Sequence, residues 1–151
     1  MNQNTRVAAV VILYNPNDDV INNILTYSSQ VDELYIIDNS SYFNETVKHF
    51  CDFHSNIFYF PQYDNLGVSK GLNLGIEMAL KREFDYILTM DQDSKAPKNL
   101  VSGLMERVSS FKDVGIVSPL HSNRFNTHQI NIDSQKIDRV IAIMTSGNLL
   151  S

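Results

Sequence analysis

Asp85-Tyr86-Ile87-Leu88-Thr89-Met90-Asp91-Gln92-Asp93-Ser94 is a short apolar run that ends abruptly in two carboxylates one residue apart. Tyr86–Met90 reads as a strand, and an Asp-x-Asp at the carboxyl end of a buried strand is a place to hold a divalent cation. Hard oxygen ligands suit Mg²⁺ or Mn²⁺, which are usually held by one or two carboxylates together with substrate phosphates. The same residues also fit a polar strand end running into a helix, with Asp93 or Ser94 as cap and Pro97 in the first turn. The chain around them decides between the two.

Upstream, apolar runs alternate with helical periodicity. Arg6–Tyr14 (RVAAVVILY) reads as a strand buried on both faces, as in a parallel sheet. From Pro16 to Ser29 the residues Val20, Ile21, Ile24, Leu25 and Ser28 recur at helical spacing. Glu33–Asp38 is a second strand. A helix over Asn44–Asp52 would turn Val47, Phe50 and Cys51 inward, and Asn56–Phe60 is a third strand stopped by Pro61. Ser69–Arg82 reads as a helix with Leu72, Ile76, Ala79 and Leu80 on one face. Downstream of Asp93 a helix spans Pro97–Phe111, with Leu100, Val101, Leu104, Val108 and Phe111 inward, and Gly115–Ser118 is a fifth strand. Repeated strand-helix units predict an α/β fold, a mostly parallel sheet flanked by helices on both faces. Ligands of such sheets sit at the carboxyl ends of the strands. Here those ends carry Tyr14-Asn15, Asp38-Asn39 and Asp91-Gln92-Asp93, all polar.

After Pro119 the rhythm changes. Ile130–Asp133 and Arg139–Met144 read as antiparallel strands and Thr145-Ser146-Gly147-Asn148 as a turn, before the chain stops just after Leu149-Leu150.

Length and composition narrow the class. A chain of 151 residues is one domain. With 43% hydrophobic and 19% charged residues it has an ordinary globular composition. Its longest apolar run, Val7–Tyr14, is far too short for a membrane span, and Asn15-Pro16-Asn17 stands where a signal cleavage site would be expected. The net charge of −5, without a basic run, argues against nucleic acid as a partner. Cys51 is the only cysteine, so it reads as a small packed residue in a reducing compartment. The four histidines lack metal-ligand spacing. His49 and His54 are expected to face solvent, and His121 and His128 fall in the stretch after Pro119, with no role assigned to either. GxGxxG and GxxxxGK[ST] are both absent, and an aspartyl-phosphate phosphatase would carry its Asp-x-Asp after the first strand.

Four segments, in order, resemble the inverting nucleotide-sugar glycosyltransferases of family 2, which have the GT-A fold. They are Val10-Val11-Ile12-Leu13-Tyr14-Asn15-Pro16, Tyr35-Ile36-Ile37-Asp38-Asn39-Ser40-Ser41, Asn65-Leu66-Gly67-Val68-Ser69-Lys70-Gly71-Leu72-Asn73-Leu74-Gly75, and the Asp85–Ser94 run. Within the family, Asp-Gln-Asp-Ser after its Tyr-hydrophobic-hydrophobic run is most similar to bacterial rhamnosyltransferases that build surface polysaccharides. The resemblance implies that Asp38 accepts the N3–H of uracil or thymine, with Tyr14, Asn15 and Asn39 lining the same pocket. It also implies that Asn65 and Gly67 let backbone approach the donor, that Asp91 and Gln92 meet the donor, and that Asp91 and Asp93 hold Mg²⁺ or Mn²⁺. Asn73 is a donor contact or, with Lys70 and Glu77, an ordinary solvated helix face. Lys70 departs from the small residue usual in the family.

The implied reaction is inverting transfer of a sugar, rhamnose from dTDP-rhamnose as the best guess and a UDP sugar otherwise, to a polysaccharide or lipid-linked acceptor hydroxyl. The implied setting is the cytoplasm, at the inner face of the membrane, with membrane contact only through regions absent from this sequence. Residues 1–119 would be the nucleotide-sugar-binding core and 120–151 the start of the acceptor side, with Thr145–Asn148 resembling the loop that enters it. The catalytic base is expected beyond Ser151, since neither Asp133 nor Asp138 matches the family's base motif. The alternatives are a nucleotide-sugar-binding fragment without turnover and a metal-dependent nucleotidyltransferase.

Overall fold

Every residue of the first strand, β1 (Val7–Leu13), is buried. A strand with no solvated face must be covered on both sides, and its sequence of Val, Ala, Ile and Leu supplies no polar side to expose. It pairs in parallel with β2 (Glu33–Asp38) on one edge and β4 (Tyr86–Asp91) on the other. β2 pairs in parallel with β3 (Ile57–Pro61). The computed structural model describes residues 5–110, 114–119 and 146–151. Among these, two further short strands, β5 (Ile116–Val117) and β6 (Asn148–Leu150), complete a sheet of order β3-β2-β1-β4-β6-β5.

The helices divide between the faces. α1 (Val20–Leu25), α2 (Glu45–Asp52) and α4 (Leu100–Ser109) pack on the face formed by Val7, Ala9, Val11, Leu13, Leu34, Ile36, Leu88 and Met90. Among the described residues α3 (Val68–Lys81) is the helix on the other, over Ala8, Val10, Ile12 and Ile37. The α/β fold with a mostly parallel, helix-flanked sheet is therefore as the sequence predicts. Cys51 is buried in the first core, and burial pushes its thiol up to about 11, out of the reactive range.

Several local expectations change. The helix anticipated over Pro16–Ser29 is only Val20–Leu25 followed by a 3₁₀ turn at Ser28–Gln30. Asn17 Oδ1 accepts the Asp19 N–H and Thr26 donates its hydroxyl to the Asn23 carbonyl, local bonds that compete with the helical ladder at both ends. Leu25 is consequently exposed. α4 starts at Leu100 rather than Pro97, and Phe111 lies outside the described residues. So do the strands anticipated at 130–133 and 139–144, together with His121, His128, Asp133, Asp138 and Thr145. His54 is half-buried, its Nδ1 2.8 Å from the Phe50 carbonyl, whereas His49 is exposed as expected. Asn148, anticipated in a turn, instead opens β6, which runs antiparallel between β4 and β5. Its Leu149 is fully buried, so the apolar pair at 149–150 fills a strand position.

The inner face of α3 also differs. Gly71, Gly75 and Ala79 are its buried residues, one helical repeat apart, while Leu80 is exposed and Leu72 and Ile76 sit at the flanks. Small residues there let the helix axis approach β1. A Cβ added to Gly75 would lie 2.4 Å from Val10 Cγ1 and 2.9 Å from Val10 Cγ2, and one on Gly71 3.0 Å from Ile12 Cδ1. Val10 is β-branched and buried, so it has little room to rotate away. Gly75→Ala is expected to destabilise the fold by about 1–3 kcal/mol through overpacking, despite alanine's better helix propensity. Urea unfolding of Gly75→Ala with and without Val10→Ala checks this, because trimming Val10 should recover part of the loss.

Candidate functional site

β2 and β3 lie to one side of β1 and β4 to the other, so the crossover direction reverses between β1 and β4. In an open α/β sheet a crevice forms outside the carboxyl ends of the strands at such a point. The residues at that edge are held by side chains from well-separated parts of the chain.

Gln92 closes the β1/β4 side. Its Oε1 accepts the Tyr14 N–H at 2.9 Å and its Nε2 donates to the Tyr14 carbonyl at 3.3 Å, so the side-chain amide pairs with β1 as another peptide would. Asn23 of α1 donates from Nδ2 to the Gln92 carbonyl at 3.0 Å, and the Ala96 N–H donates to Thr26 Oγ1 at 2.9 Å. Between these points the chain turns sharply, the Ser94 N–H donating to the Asp91 carbonyl at 3.1 Å. Asp91, half-buried, and Asp93, exposed, occupy that turn. The negative charge of Asp91 is felt beneath the loop. It adds to the dominant effect of burial in raising the pKa of Tyr27, whose buried hydroxyl has no hydrogen-bond partner among the described residues.

The β2 end is built differently. Asp38 is only 1% exposed. Its Oδ2 accepts the Tyr59 hydroxyl at 2.7 Å and its Oδ1 the Ser40 N–H at 2.9 Å. Tyr59 also accepts the Asn44 N–H at 3.2 Å, and Asn44 caps α2 through the Val47 N–H. Ser40 Oγ in turn accepts the N–H of Asn15, a residue in the left-handed region at φ +43°.

Asn39 is 2% exposed and donates from Nδ2 to the Gly67 carbonyl at 3.2 Å. That bond fixes the amide so that Oδ1 is the remaining acceptor, and Oδ1 is buried with no partner among the described residues. Beside it α3 begins at Gly67, φ +77°, without a side-chain cap. The N–H groups of a helix's first turn have no intrahelical acceptor. Asn65 Oδ1 takes the Gly67 N–H at 3.0 Å, and a Cβ on Gly67 would meet nothing within 4 Å. The helix start is thus open to an approaching ligand, with one unpartnered acceptor next to several donors.

Tyr14, Asn15, Asp38, Asn39, Asn65, Gly67, Asp91, Gln92 and Asp93 therefore share one edge of the sheet, and Tyr14 has an exposed aromatic ring there. Within that set, Asp38 and Gln92 spend their side chains on the protein itself. Asn73 is not drawn into the network: it is exposed on the outer face of α3 with Lys70 and Glu77, away from Gly71 and Gly75. Among the described residues no cluster of three or more acidic, histidine or cysteine side chains is placed to hold a metal. Two carboxylate side chains on one turn still fit a hard cation that takes its other oxygens from a substrate.

Sequence reading missed Asn23, Ser40, Tyr59 and Ser146. Asn23 left a signal, as a polar residue between Val20 and Ile24 on the buried stripe of α1. The others bond across 21 to 55 positions, which no local pattern reports.

The family model for glycosyl transferase family 2 matches residues 9–145. Among solved structures, S. aureus TarS 1-349 superposes with a TM-score of 0.58 at 15% identity, covering 70% of this chain and 33% of that one. The same TarS segment in complex with UDP-GlcNAc gives a TM-score of 0.58 at 15% identity, over 70% and 32%. A 4-diphosphocytidyl-2C-methyl-D-erythritol synthase gives 0.57 at 15% identity, over 87% and 68%. At these identities the likeness is one of fold, and the chain spans about a third of the length of TarS 1-349. No curated protein matches the sequence. No helix among the described residues is long and apolar enough to cross a membrane.

The Tyr59–Asp38 bond can be tested on its own. Burial first, then the bond to Asp38, raises the Tyr59 pKa, so the fold favours the neutral phenol. Its contribution is intact below the ordinary tyrosine value of 10.0 and is lost as pH rises through the higher folded value. Tyr59→Phe should cost about 1–3 kcal/mol at neutral pH by depriving buried Asp38 of a donor. The same variant should show a shallower loss of stability at alkaline pH, followed by urea melts from pH 8 to about 11, between the ordinary and the raised tyrosine values.

Proposed function

This chain belongs to glycosyl transferase family 2, and on that premise we propose that its sheet edge binds a nucleotide-diphospho sugar with a uracil or thymine base for inverting transfer of the sugar to an acceptor hydroxyl. The observation that carries the base assignment is Asn39 Oδ1, a buried acceptor without a partner among the described residues, beside the uncapped start of α3. Uracil and thymine present an imide edge, carbonyl–N–H–carbonyl. The imide N–H would satisfy Asn39 Oδ1 while a flanking carbonyl meets a first-turn N–H of α3. Cytosine offers an unprotonated ring nitrogen there and would leave the asparagine oxygen unpaired. Asp38, the acceptor expected from the sequence, holds the turn through one bond on each oxygen, from Tyr59 and Ser40, and in this reading stands behind Asn39 at the base.

Tyr14 supplies an exposed aromatic face at the end of β1 for the base or ribose. The open backbone at Gly67, held by Asn65, leaves room for close approach of the donor. Asp91 and Asp93 would hold Mg²⁺ or Mn²⁺, with the diphosphate completing the shell. A cation there would stabilise the charge that develops on the leaving diphosphate. A carboxylate general base on the far side of the sugar would take the acceptor proton, and none of the residues assigned here has that position. Binding of UDP-GlcNAc by the similarly folded TarS segment supports a nucleotide-sugar ligand. Rhamnose rests on the likeness of the Asp91–Ser94 run to bacterial rhamnosyltransferases, as do a polysaccharide or lipid-linked acceptor and work at the inner face of the membrane.

Calorimetric titration tests both parts. UDP or dTDP should bind at least tenfold tighter than CDP, about 1.4 kcal/mol, and Asn39→Ala should abolish the difference. Equal affinity for the three would end the imide assignment. In a separate series, donor nucleotide should bind weakly in chelator and recover with Mn²⁺ or Mg²⁺. Asp93→Ala should lose most of that response, Asp91→Ala should bind more weakly still, and Asp133→Ala should behave as the parent. Affinity unchanged by divalent cation would remove the metal from the mechanism.

A further inference from the structure

The turn that carries Asp91 and Asp93 is closed from outside by one residue of a distant segment. Ser146 is 3% exposed. Its Oγ accepts the Asp91 N–H at 3.1 Å and is 2.8 Å from Ser94 Oγ, to which it donates. Asp91 and Ser94 are the first and last residues of the turn, already joined by the Ser94 N–H to the Asp91 carbonyl at 3.1 Å. One hydroxyl thus spans both ends of the four-residue loop, with Gln92 and Asp93 at the corners.

The segment holding Ser146 is itself tightly placed. The Gly147 N–H donates to the Thr89 carbonyl at 2.6 Å, with Gly147 at φ +74°. From Asn148 onward the chain pairs with β4 in register, Asn148 opposite Thr89 and Leu149 opposite Leu88. Ser146 therefore stands two residues before the start of a fixed ladder, against the turn where β4 ends.

We propose that Ser146 is a positioning residue for the cation-holding turn, setting the mutual geometry of the Asp91 and Asp93 carboxylates through its bonds to Asp91 and Ser94. The inference rests on the cation-assisted donor binding proposed above. A divalent cation such as Mg²⁺ demands near-ideal ligand geometry. Asp91 follows directly from the sheet, but Asp93 is exposed and has only the turn to fix it. Without the Ser146 hydroxyl the Asp91 N–H is left without that acceptor and the far end of the turn is tethered only by the Ser94 backbone bond. Two carboxylates would remain, on a looser frame.

The test separates the effect on cation use from general damage. UDP affinity is measured by calorimetry for the parent, Ser146→Ala and Ser94→Ala, each in Mn²⁺ and in EDTA, well below the unfolding temperature of each. The expected result is that Ser146→Ala cuts the Mn²⁺ enhancement at least fivefold while its affinity in EDTA stays within twofold of the parent, with Ser94→Ala shifting in the same direction. A merely structural serine would lower both affinities together or neither. If the parent shows Mn²⁺ enhancement and both variants keep it, the proposal is wrong although the cation reading stands. If the parent itself shows no enhancement, the cation reading falls and this proposal with it. Should Ser146→Ala fail to fold, Ser94→Ala alone decides, by the same fivefold criterion.

Discussion

Double burial of β1 governs the rest of the structure. A strand hydrogen-bonded on both edges and covered on both faces can sit only in the middle of a sheet, and its neighbours β2 and β4 run parallel to it. Parallel neighbours require crossovers over the faces, which α1, α2 and α3 provide between β1, β2, β3 and β4. They also require the carboxyl ends of β1, β2 and β4 to emerge along one edge. The reversal of strand order between β1 and β4 then places the opening of the crevice between Tyr14 and Gln92. The position of the site is thus a consequence of burying the VAAVVIL run.

At that edge the ladder stops, and its last backbone groups need other partners. Side-chain amides and hydroxyls take over: Gln92 on Tyr14, Ser40 on Asn15, Asn23 on Gln92, and Ser146 on Asp91. Each such bond contributes only about 0.5–1.5 kcal/mol net, but breaking one and leaving a buried partner unmet costs about 1–3 kcal/mol. That asymmetry makes the edge rigid without making it a source of great stability. Asn23 and Asn39 each commit the amide donor and keep a buried acceptor open among the described residues, and of the two it is Asn39 that lies beside the uncapped start of α3. A buried polar group kept unpaired where a helix begins uncapped marks where a ligand would complete the structure.

Charge gives the same edge its second character. The protein is acidic, with a net charge of −5, and it presents Asp91 and Asp93 to a ligand that would carry a diphosphate. Unit charges of like sign 4 Å apart repel by about 4 kcal/mol at an effective dielectric of 20. Exposed Lys70 lies on the outer face of α3 and is a poor counterweight. On the proposed reading a shared cation would make the two carboxylates compatible with a phosphate ligand.

The sequence by itself determined the α/β class, the extents of β1, β2 and β4 to within a residue or two, and the meeting of Tyr14, Asn39 and Asp91 along one edge. These follow from apolar runs and strand-helix alternation, which are local and survive in a linear reading. Only the tertiary structure decided which polar groups find partners within the fold and which keep an open acceptor. Asp38 and Asn39 are adjacent letters, yet Tyr59 and Ser40 each bond an oxygen of the first, while the second gives its donor to Gly67 and keeps its acceptor open among the described residues. The glycine face of α3 escaped for a related reason: periodicity sought large apolar residues, whereas the close approach to Val10 needs none. Ser146 and β6 were invisible because their partners lie more than fifty positions back in the chain. Hydrogen-bond partnership across such distances is set by the packing of the strands, and no spacing within the sequence encodes it.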